Sequence, residues 1–544
     1  MRSSLFSLLV VVTAACGSQD AGAPEPGGGG GVSFGGAQDM GEFRAILDRG
    51  ELPGPDSLDA NGFFNEHYSA APAPTCGGLL CLTPGLSVGR DWLTGKHQAT
   101  LQIAVNTTVD PASYERLPMD LVVVVDHSGS MAQDGRLEKV KVGLHTLVDN
   151  LEDGDRMALI AFDDLVTYEA RFEAELDRAF LHERIDALRP RGGTNIHDGL
   201  QAGFDAFGES LPNERQHRVI FLSDGLATVG VTSRYEIIGM AREQIMRGIG
   251  LTTIGVGNSF DVELMRGLAE HGAGNYYFLE DGSAASEVFS EELDYFMTPL
   301  ALDVSIVASA SSGWTFGEVV GTRLWNAQPE QGVMNIPAVF LASRTSQEPG
   351  EGRRGGGSMI FIHLEPTADA NANIAELTLT YRLPGTAEYV SQTVTLDYAA
   401  DPLETPAEPH LSGAEMAERY AMYNLFLGLR FATQSSASCA AAGLEATRRN
   451  ASLWNERHPD PDITADLELV DQYLDNLYAL GATADVDLAS CPHADEPYWP
   501  NDYEGYDYGY DHYHHYGCSA AGGSAGWLVL LGAAALVVVR RRRR

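Results

Sequence analysis

The sequence predicts a doubly wound α/β domain, flanked by an antiparallel β domain and a C-terminal helical region. Three observations carry this reading. Between residues 119 and 298, short apolar runs such as Leu121–Val125 alternate with segments of helical period. That is the pattern of parallel strands buried on both faces beneath helices. From 299 to 400 the apolar period falls to two, with Leu302/Val304/Ile306, Leu377/Leu379/Tyr381 and Val394/Leu396/Tyr398 each lining one strand face. From 401 to 495 it lengthens to that of helices, in the stripes Met416/Tyr420/Tyr423/Leu427 and Leu467/Val470/Leu474/Leu477.

From the N-terminus, residues 1–15 combine Met1-Arg2, the apolar stretch Leu5–Val12 and the small residues Thr13-Ala14-Ala15. These are the parts of a secretory signal, too short to span a bilayer. Residues 16–38 hold Pro24, Pro26 and the run Gly27–Gly31, which predicts a flexible tether of about 25 Å. In the flanking region 39–118, Phe43, Ile46 and Leu47 share a helical face that Gly50 and Pro53 bring to an end. Leu101, Ile103 and Val105 line one side of a strand over 100–106. If that strand completes the antiparallel layer, the α/β domain is an insertion within it.

Inside 119–298 the first strand is followed by a helix with Leu137, Val140, Leu144, Leu147, Val148 and Leu151 at helical spacing. Next come a strand over 157–162, a helix over 176–188, a Gly-Gly loop and a helix over 196–207. Strands over 218–222, 251–256 and 276–279 then alternate with helices over 235–247 and 262–271. Loops at the C-terminal edge of such a sheet form its binding site. Farther on, Ser412 and Glu415 fit a capping box at the start of the helical region. Residues 496–517 are rich in Tyr, Asp, His and Gly without apolar period, and read as a polar spacer. Within 518–544, Ala520–Val539 is uncharged and apolar and Arg540–Arg544 closes the chain. Twenty residues of helix reach about 30 Å, the thickness of a bilayer core. The arginines stay cytoplasmic, so the bulk of the chain lies outside the inner membrane.

Charge narrows the function. The 544 residues carry Lys+Arg 36 against Asp+Glu 75, a net charge of −39. Affinity for nucleic acid or for acidic membrane surfaces needs clustered positive charge, and the only dense basic cluster is the terminal arginine run. Without the two terminal segments the chain loses six arginines and no acids, which moves the net charge from −39 to −45. What remains is a soluble, very acidic exported protein.

Of six cysteines, Cys16 and Cys518 fall in the terminal segments. Cys76, Cys81, Cys439 and Cys491 remain, an even number suited to an oxidising compartment, and they allow three pairings. Gly77-Gly78 lets the chain turn tightly enough to join Cys76 to Cys81. Cys439–Cys491 then staples the helical region. With no C-x-x-C pair, a zinc ribbon or a thioredoxin-like site is disfavoured.

The chemistry lies at the ends of the buried strands. The first runs into Asp126-His127-Ser128-Gly129-Ser130, where a carboxylate and two serines at alternating positions direct three oxygens toward one point. Gly192-Gly193-Thr194 brings a hydroxyl on a second loop, and Leu222-Ser223-Asp224-Gly225 ends a later strand with a carboxylate. Singly, each Asp or Ser suits a helix cap. All five in order within one α/β pattern make a set of hard oxygen ligands, fit for Mg²⁺, Mn²⁺ or Ca²⁺ and unfit for thiophilic metals.

This constellation resembles the von Willebrand factor A domain and its metal-ion-dependent adhesion site. The family motif Asp-x-Ser-x-Ser matches Asp126, Ser128 and Ser130, its Thr matches Thr194, and its later Asp matches Asp224. The resemblance implies direct ligation of the ion, expected to be Mg²⁺, by Ser128, Ser130 and Thr194. Asp126 and Asp224 then act mostly through waters, and one position stays open for a Glu or Asp of a protein partner. The segment from Phe43 to Pro53 is similar to a region that precedes this domain in a group of bacterial proteins. At the ends, Cys16 after Ala15 resembles a bacterial lipoprotein box, although Thr13 stands where that family usually has Leu. Gly517-Cys518, the apolar helix and the arginine tail resemble the C-terminal sorting signal of myxobacterial surface proteins. These two resemblances imply lipidation at Cys16, sorting at Cys518, and a membrane-anchored protein at the outer membrane or cell surface.

Other patterns are set aside. Gly522 to Gly526 spells a nucleophile elbow with no strand before it. Gly89 to Lys96 has the glycine spacing of a phosphate loop plus one, with His97 in place of Ser or Thr. His512, His514 and His515 read as solvated spacer residues, and His127 and His197 as loop residues beside the site. The expected function is therefore non-enzymatic, metal-dependent adhesion or protein binding at the cell envelope. An envelope scaffold with a purely structural ion is the alternative. A metal-assisted hydrolase ranks last, because no general base is identifiable and no H-E-x-x-H is present.

Overall fold

The computed structural model describes residues 30–67, 74, 76–109, 117–212, 214–257, 260–272, 274–279, 288–289, 299–341 and 357–492. The signal over 1–15, Cys16, the spacer over 496–517, and Cys518 with its anchor lie outside the described residues. Among the described residues no helix is long and apolar enough to cross a membrane.

The first elements are strands β1 (Gly30–Ser33) and β2 (Gly36–Ala37), helices α1 (Gly41–Asp48) and α2 (Ala60–Asn65), and the hairpin of β3 (Leu80–Arg90) and β4 (His97–Thr107). Here the sequence reading needs correction. The tether expected over 16–38 is strand from Gly30 onward, with Val32 and Phe34 buried in the β core. Composition marks a glycine run as flexible. The two apolar side chains that follow it, with partners far along the chain, decide otherwise. Gly35 and Gly36 then turn the chain at φ +79° and +83°, and a Cβ on Gly35 would meet Gly274 O at 2.6 Å.

The α/β layer has seven strands in the order β2-β10-β9-β8-β5-β6-β7. They are β5 (Met119–Asp126), β6 (Arg156–Phe162), β7 (Val166–Ala170), β8 (Gln216–Ser223), β9 (Ile249–Val256) and β10 (Asn275–Leu279), with β2 at the edge. Every pairing is parallel except that of β7 with β6. The helices are α3 (Arg136–Asn150), α4 (Arg178–Ala187), α5 (Ile196–Asp205), α6 (Arg234–Met246) and α7 (Val262–His271). Leu121, Val123 and Val125 face α3 and α4 in one core. Val124 points the other way, against Gly203 of α5. Both faces of β5 are covered, which is why its sequence is apolar without alternation. The edge strand β7, mostly half-buried, is an element the sequence reading omitted.

Eight further strands follow: β11 (Pro299–Ala310), β12 (Trp314–Val320), β13 (Trp325–Gln328), β14 (Gln331–Leu341), β15 (Ile360–Pro366), β16 (Asn373–Arg382), β17 (Tyr389–Asp397) and β18 (His410–Leu411). Six of them pair antiparallel with β4 and β1 in the path β12-β15-β4-β1-β14-β11-β16-β17, while β13 pairs with β14, β3 lies beside β4, and β18 pairs with β3. Alternate residues of β3, β4, β11, β14 and β16 meet in one core, which gives the layer its sandwich character. β4 therefore belongs to this layer, and the α/β domain is an insertion between β4 and β11. The flanking region 39–118 and the β domain 299–400 consequently fold together rather than separately. Linear composition cannot reveal pairings across more than 200 residues, such as Ile103 with Ile360.

The last helices are α8 (Met416–Gln434), α9 (Ala437–Asn455) and α10 (Pro461–Ala479). They share a core with α1 and α2, through Phe43, Phe63 and Phe64, and with the sandwich, where Phe361 stacks on Tyr423 at 4.7 Å. The capping box expected at Ser412 and Glu415 does not form. Ser412 Oγ accepts the Leu86 N–H at 2.8 Å, continuing the β18–β3 contact, and α8 starts without a side-chain cap. Cys76 is bonded to Cys81 and Cys439 to Cys491, with Cα separations of 5.7 and 5.8 Å. The second bond ties α9 to the segment after α10.

Candidate metal centre

Three loops meet at the C-terminal edge of the parallel sheet. Asp126 is the last residue of β5 and is fully buried. Its Oδ1 accepts the Ser128 N–H at 2.8 Å and its Oδ2 accepts the Ser223 hydroxyl at 2.7 Å. This short return fixes the turn that aims the two serines. Ser128 Oγ and Ser130 Oγ stand 2.9 Å apart, and Ser130 Oγ donates to Asp224 Oδ1 at 2.7 Å. Arg136, at the start of α3, donates from Nη1 to Asp224 Oδ2 at 2.8 Å.

Thr194 enters from the loop before α5, where Asn195 caps the helix by accepting from the Asp198 N–H. The Thr194 N–H donates to Thr228 Oγ1 at 3.0 Å, and its carbonyl accepts from the Thr228 N–H at 2.9 Å. Gly225 marks how closely the loops approach: a Cβ there would lie 3.4 Å from Thr194 Oγ1 and 3.9 Å from Ser130 Oγ. The Arg191 N–H donates to His127 O at 2.7 Å and the Gly129 N–H to Gly192 O at 3.1 Å, which lock the first two loops together. Thus Asp126, Ser128, Ser130 and Asp224 are linked in one chain of hydrogen bonds, with Thr194 beside it.

Electrostatics favour a cation at this point. Asp126 and Asp224 are both fully buried, and the bonds to Asp126 come from neutral donors. Burial pushes the Asp126 carboxyl up to about 6; the Ser223 and Ser128 donors pull it down, and the Asp224 charge adds to the rise. Two buried carboxylates lie together here, Asp224 paired with Arg136, and the hydroxyls around them are hard oxygen donors. The five residues therefore fit a divalent ion.

Sequence reasoning missed the supporting residues. Ser223 lies inside the quoted Leu222–Gly225 motif, so its place was visible, but its bond to Asp126 was not. Arg136 carried no signal, since its partner is 88 residues away. His127, expected as a loop residue, is buried with Nδ1 3.1 Å from Arg189 O. Another carboxylate group among the described residues brings Glu418 of α8 to Asp460 and Asp462 at the start of α10. There Asp460 already serves as the cap, accepting from the Asp462 and Ile463 N–H groups.

Residues 120–291 match the family model of the von Willebrand factor type A domain. The chain carries a domain of that family. The α/β fold of that segment, with its flanking sheet and C-terminal helices, fits that match. Among curated proteins, the uncharacterized protein YfbK of Escherichia coli (strain K12) is 30% identical over 281 residues, 50% of this chain and 48% of that protein. Inter-alpha-trypsin inhibitor heavy chain H1 of Bos taurus is 24% identical over 205 residues, 36% of this chain and 22% of that protein. The chain thus spans about half the length, or less, of these relatives. A solved von Willebrand factor type A protein from Catenulispora acidiphila superposes with TM-score 0.45 at 16% identity, covering 70% of this chain and 87% of its own. Type A domains with the metal-ion-dependent adhesion site bind divalent metal ions, and they commonly bind protein partners through it.

Proposed function

We propose that this chain is a divalent-cation-dependent protein-binding module of the bacterial cell envelope, with no catalytic activity of its own. Asp126, Ser128, Ser130, Thr194 and Asp224 hold the ion, with Mg²⁺ as the expected occupant, and an acidic side chain of the partner completes its coordination. The observation that carries the reading is the run of hydroxyls between two fully buried carboxylates. With the carboxylates acting mostly through waters, such a set leaves the ion electrophilic and able to accept one more oxygen.

The rim suits a protein surface. Leu165 and Leu226 are 70% and 54% exposed on the loops beside Asp163 and Asp224. The Arg191 side chain, 56% exposed on the Thr194 loop, pairs with Asp163 at 2.5 Å. Exposed apolar side chains around a charged centre provide contact area, while the ion selects for negative charge. At physiological salt the Debye length is about 8 Å, so the overall negative charge repels an acidic partner only near contact. The bonded cysteines, the signal-like N-terminus and the arginine-tailed C-terminus support an exported, membrane-anchored location.

The test is capture of partners from envelope extracts by the full chain, with Mg²⁺ or with chelator, beside Mn²⁺ titration followed by electron paramagnetic resonance. Asp126→Ala and Thr194→Ala should each abolish Mn²⁺ binding and metal-dependent capture while leaving the fold intact, since strand β5 keeps its apolar residues. A partner held equally well in chelator and by both variants sinks the adhesion reading. That outcome favours the envelope scaffold, for which the hydrogen-bonded closure of Ser128, Ser130, Asp224 and Arg136 already gives a rigid centre.

A further inference from the structure

On the outer side of the α/β domain, α3 and α4 lie side by side and bring two histidines together. His145 Nδ1 and His182 Nδ1 stand 2.5 Å apart, with ring centroids 4.8 Å apart and planes tilted by 31°. The other ring nitrogens reach across to carboxylates of the opposite helix. His145 Nε2 lies 3.1 Å from Asp186 Oδ1 and His182 Nε2 lies 3.0 Å from Asp149 Oδ1. Each aspartate sits four residues after the histidine of its own helix, so the cluster is a crossed pair of His-x-x-x-Asp segments.

The tautomers follow from the acceptors. A carboxylate accepts only, so both Nε2 atoms carry hydrogen, and a neutral imidazole then presents a bare lone pair at Nδ1. Two such lone pairs repel at 2.5 Å unless a shared proton or a metal ion stands between them. A histidine whose far nitrogen donates to a carboxylate is the arrangement that orients imidazole ligands on a metal and raises their basicity. Here it occurs twice, about one shared point.

We propose that His145 and His182 bind one transition-metal ion of the Zn²⁺, Ni²⁺ or Cu²⁺ class through their Nδ1 atoms, clipping α3 to α4. The site is separate from the oxygen centre and opposite in chemistry: two nitrogen donors against hydroxyls and carboxylates. Tetrahedral bonds of about 2.0–2.1 Å place two nitrogens about 3.3 Å apart. The histidines must therefore open by less than about 1 Å, which surface side chains permit, at 32% and 29% exposure. Water fills the remaining positions from the same exposed side. Asp149 and Asp186 supply negative charge that offsets the ion, and no residue of the oxygen centre takes part.

The test is Zn²⁺ titration of the full chain by calorimetry at pH 7.5. The parent protein carries Ser130→Ala and Thr194→Ala, to disable the oxygen centre, and His512→Ala, His514→Ala and His515→Ala, to remove the spacer histidines. His145→Ala and His182→Ala should each lose one equivalent of Zn²⁺ relative to this parent. Asp149→Asn and Asp186→Asn should keep the equivalent but weaken it, by about 10–100-fold. Melting in chelator checks that each variant is folded, and Zn²⁺ should raise the parent's melting temperature but not that of the histidine variants. If the histidine variants bind as many equivalents as the parent, with affinity within twofold, the inference is overturned. Absence of Zn²⁺ binding in the parent overturns it equally, leaving a pair that shares only a proton.

Discussion

Replacing Asp126 by asparagine separates the electrostatic cost of the oxygen centre from its function. The amide has the same shape and keeps both contacts: its Oδ1 accepts the Ser128 N–H, and its Nδ2 donates to the Ser223 hydroxyl, which rotates to accept. What changes is charge. Burial raises the Asp126 carboxyl from 3.8 to about 6, so between those two values the folded protein binds more protons than the unfolded one. Stability therefore falls as pH rises through that window, and above it the loss levels off at about 3 kcal/mol. In chelator at pH 8, Asp126→Asn should be more stable than the parent by about that amount, and by under about 1 kcal/mol at pH 4. With saturating Mg²⁺ the order reverses, because the ion stabilises only the protein that binds it. Calorimetric melting of the full chain at both pH values, with and without Mg²⁺, reads all four terms. An asparagine variant no more stable than the parent in chelator at pH 8 would refute the claim that this carboxylate is held at a cost.

Other predictions address the surroundings. Arg136→Met leaves the buried Asp224 without this guanidinium and should cost about 3–5 kcal/mol in chelator, with much of it recovered in Mg²⁺; an equal loss in both conditions would contradict it. Leu226→Asp and Leu165→Asp should weaken capture of the partner at least tenfold and leave Mn²⁺ binding unchanged, as measured by surface binding and by titration. Opening the Cys439–Cys491 bond, which spans 52 residues, by a double alanine substitution should cost about 4 kcal/mol. The 5-residue Cys76–Cys81 loop should cost about 2 kcal/mol, and the reverse order in urea unfolding would argue against a loop-entropy origin.

The α/β domain was legible because its signals are local. A strand covered on both faces must be apolar at every position, and Leu121–Val125 is; the hydrogen-bonded turn after it draws on Asp126, Ser128 and Ser130, all within five positions. Features made by distant partners left no trace. Val32 pairs with Leu341, so a segment that reads as a glycine tether becomes the strand shared by β4 and β14. Ser412 had a cap's spacing, yet strand pairing with β3 offered its hydroxyl the Leu86 N–H first. His145 and His182 lie on different helices, each unremarkable in its own period.

The way the domain is inserted bears on how it binds. Its sheet does not end at β10, because β2 adds there in parallel register, Gly36 with Asn275 and Ala37 with Tyr276. Asn61 and Asn65 of α2 hold that added strand through Gly35 O and Ala37 O, both at 2.7 Å. Nearby, Arg266 of α7 donates to Asp59 Oδ2 at 3.0 Å, and Arg323, from the loop after β12, approaches the same oxygen at 3.5 Å. Burial alone would raise Asp59, but the two guanidinium groups outweigh it and hold its carboxyl low. The contact is thus a charged one built on the buried Asp59–Arg266 pair, and removing Asp59 would leave the buried Arg266 without that partner. A domain on a flexible stalk loses orientational freedom when it binds, and that loss is subtracted from affinity. Here the edge strand and the ion pairs already fix the domain on the sandwich and helices. On the proposed function, a partner bound at the oxygen centre and its leucine rim would meet a domain already oriented by β2 and these ion pairs, so less of the contact energy would go into orienting it.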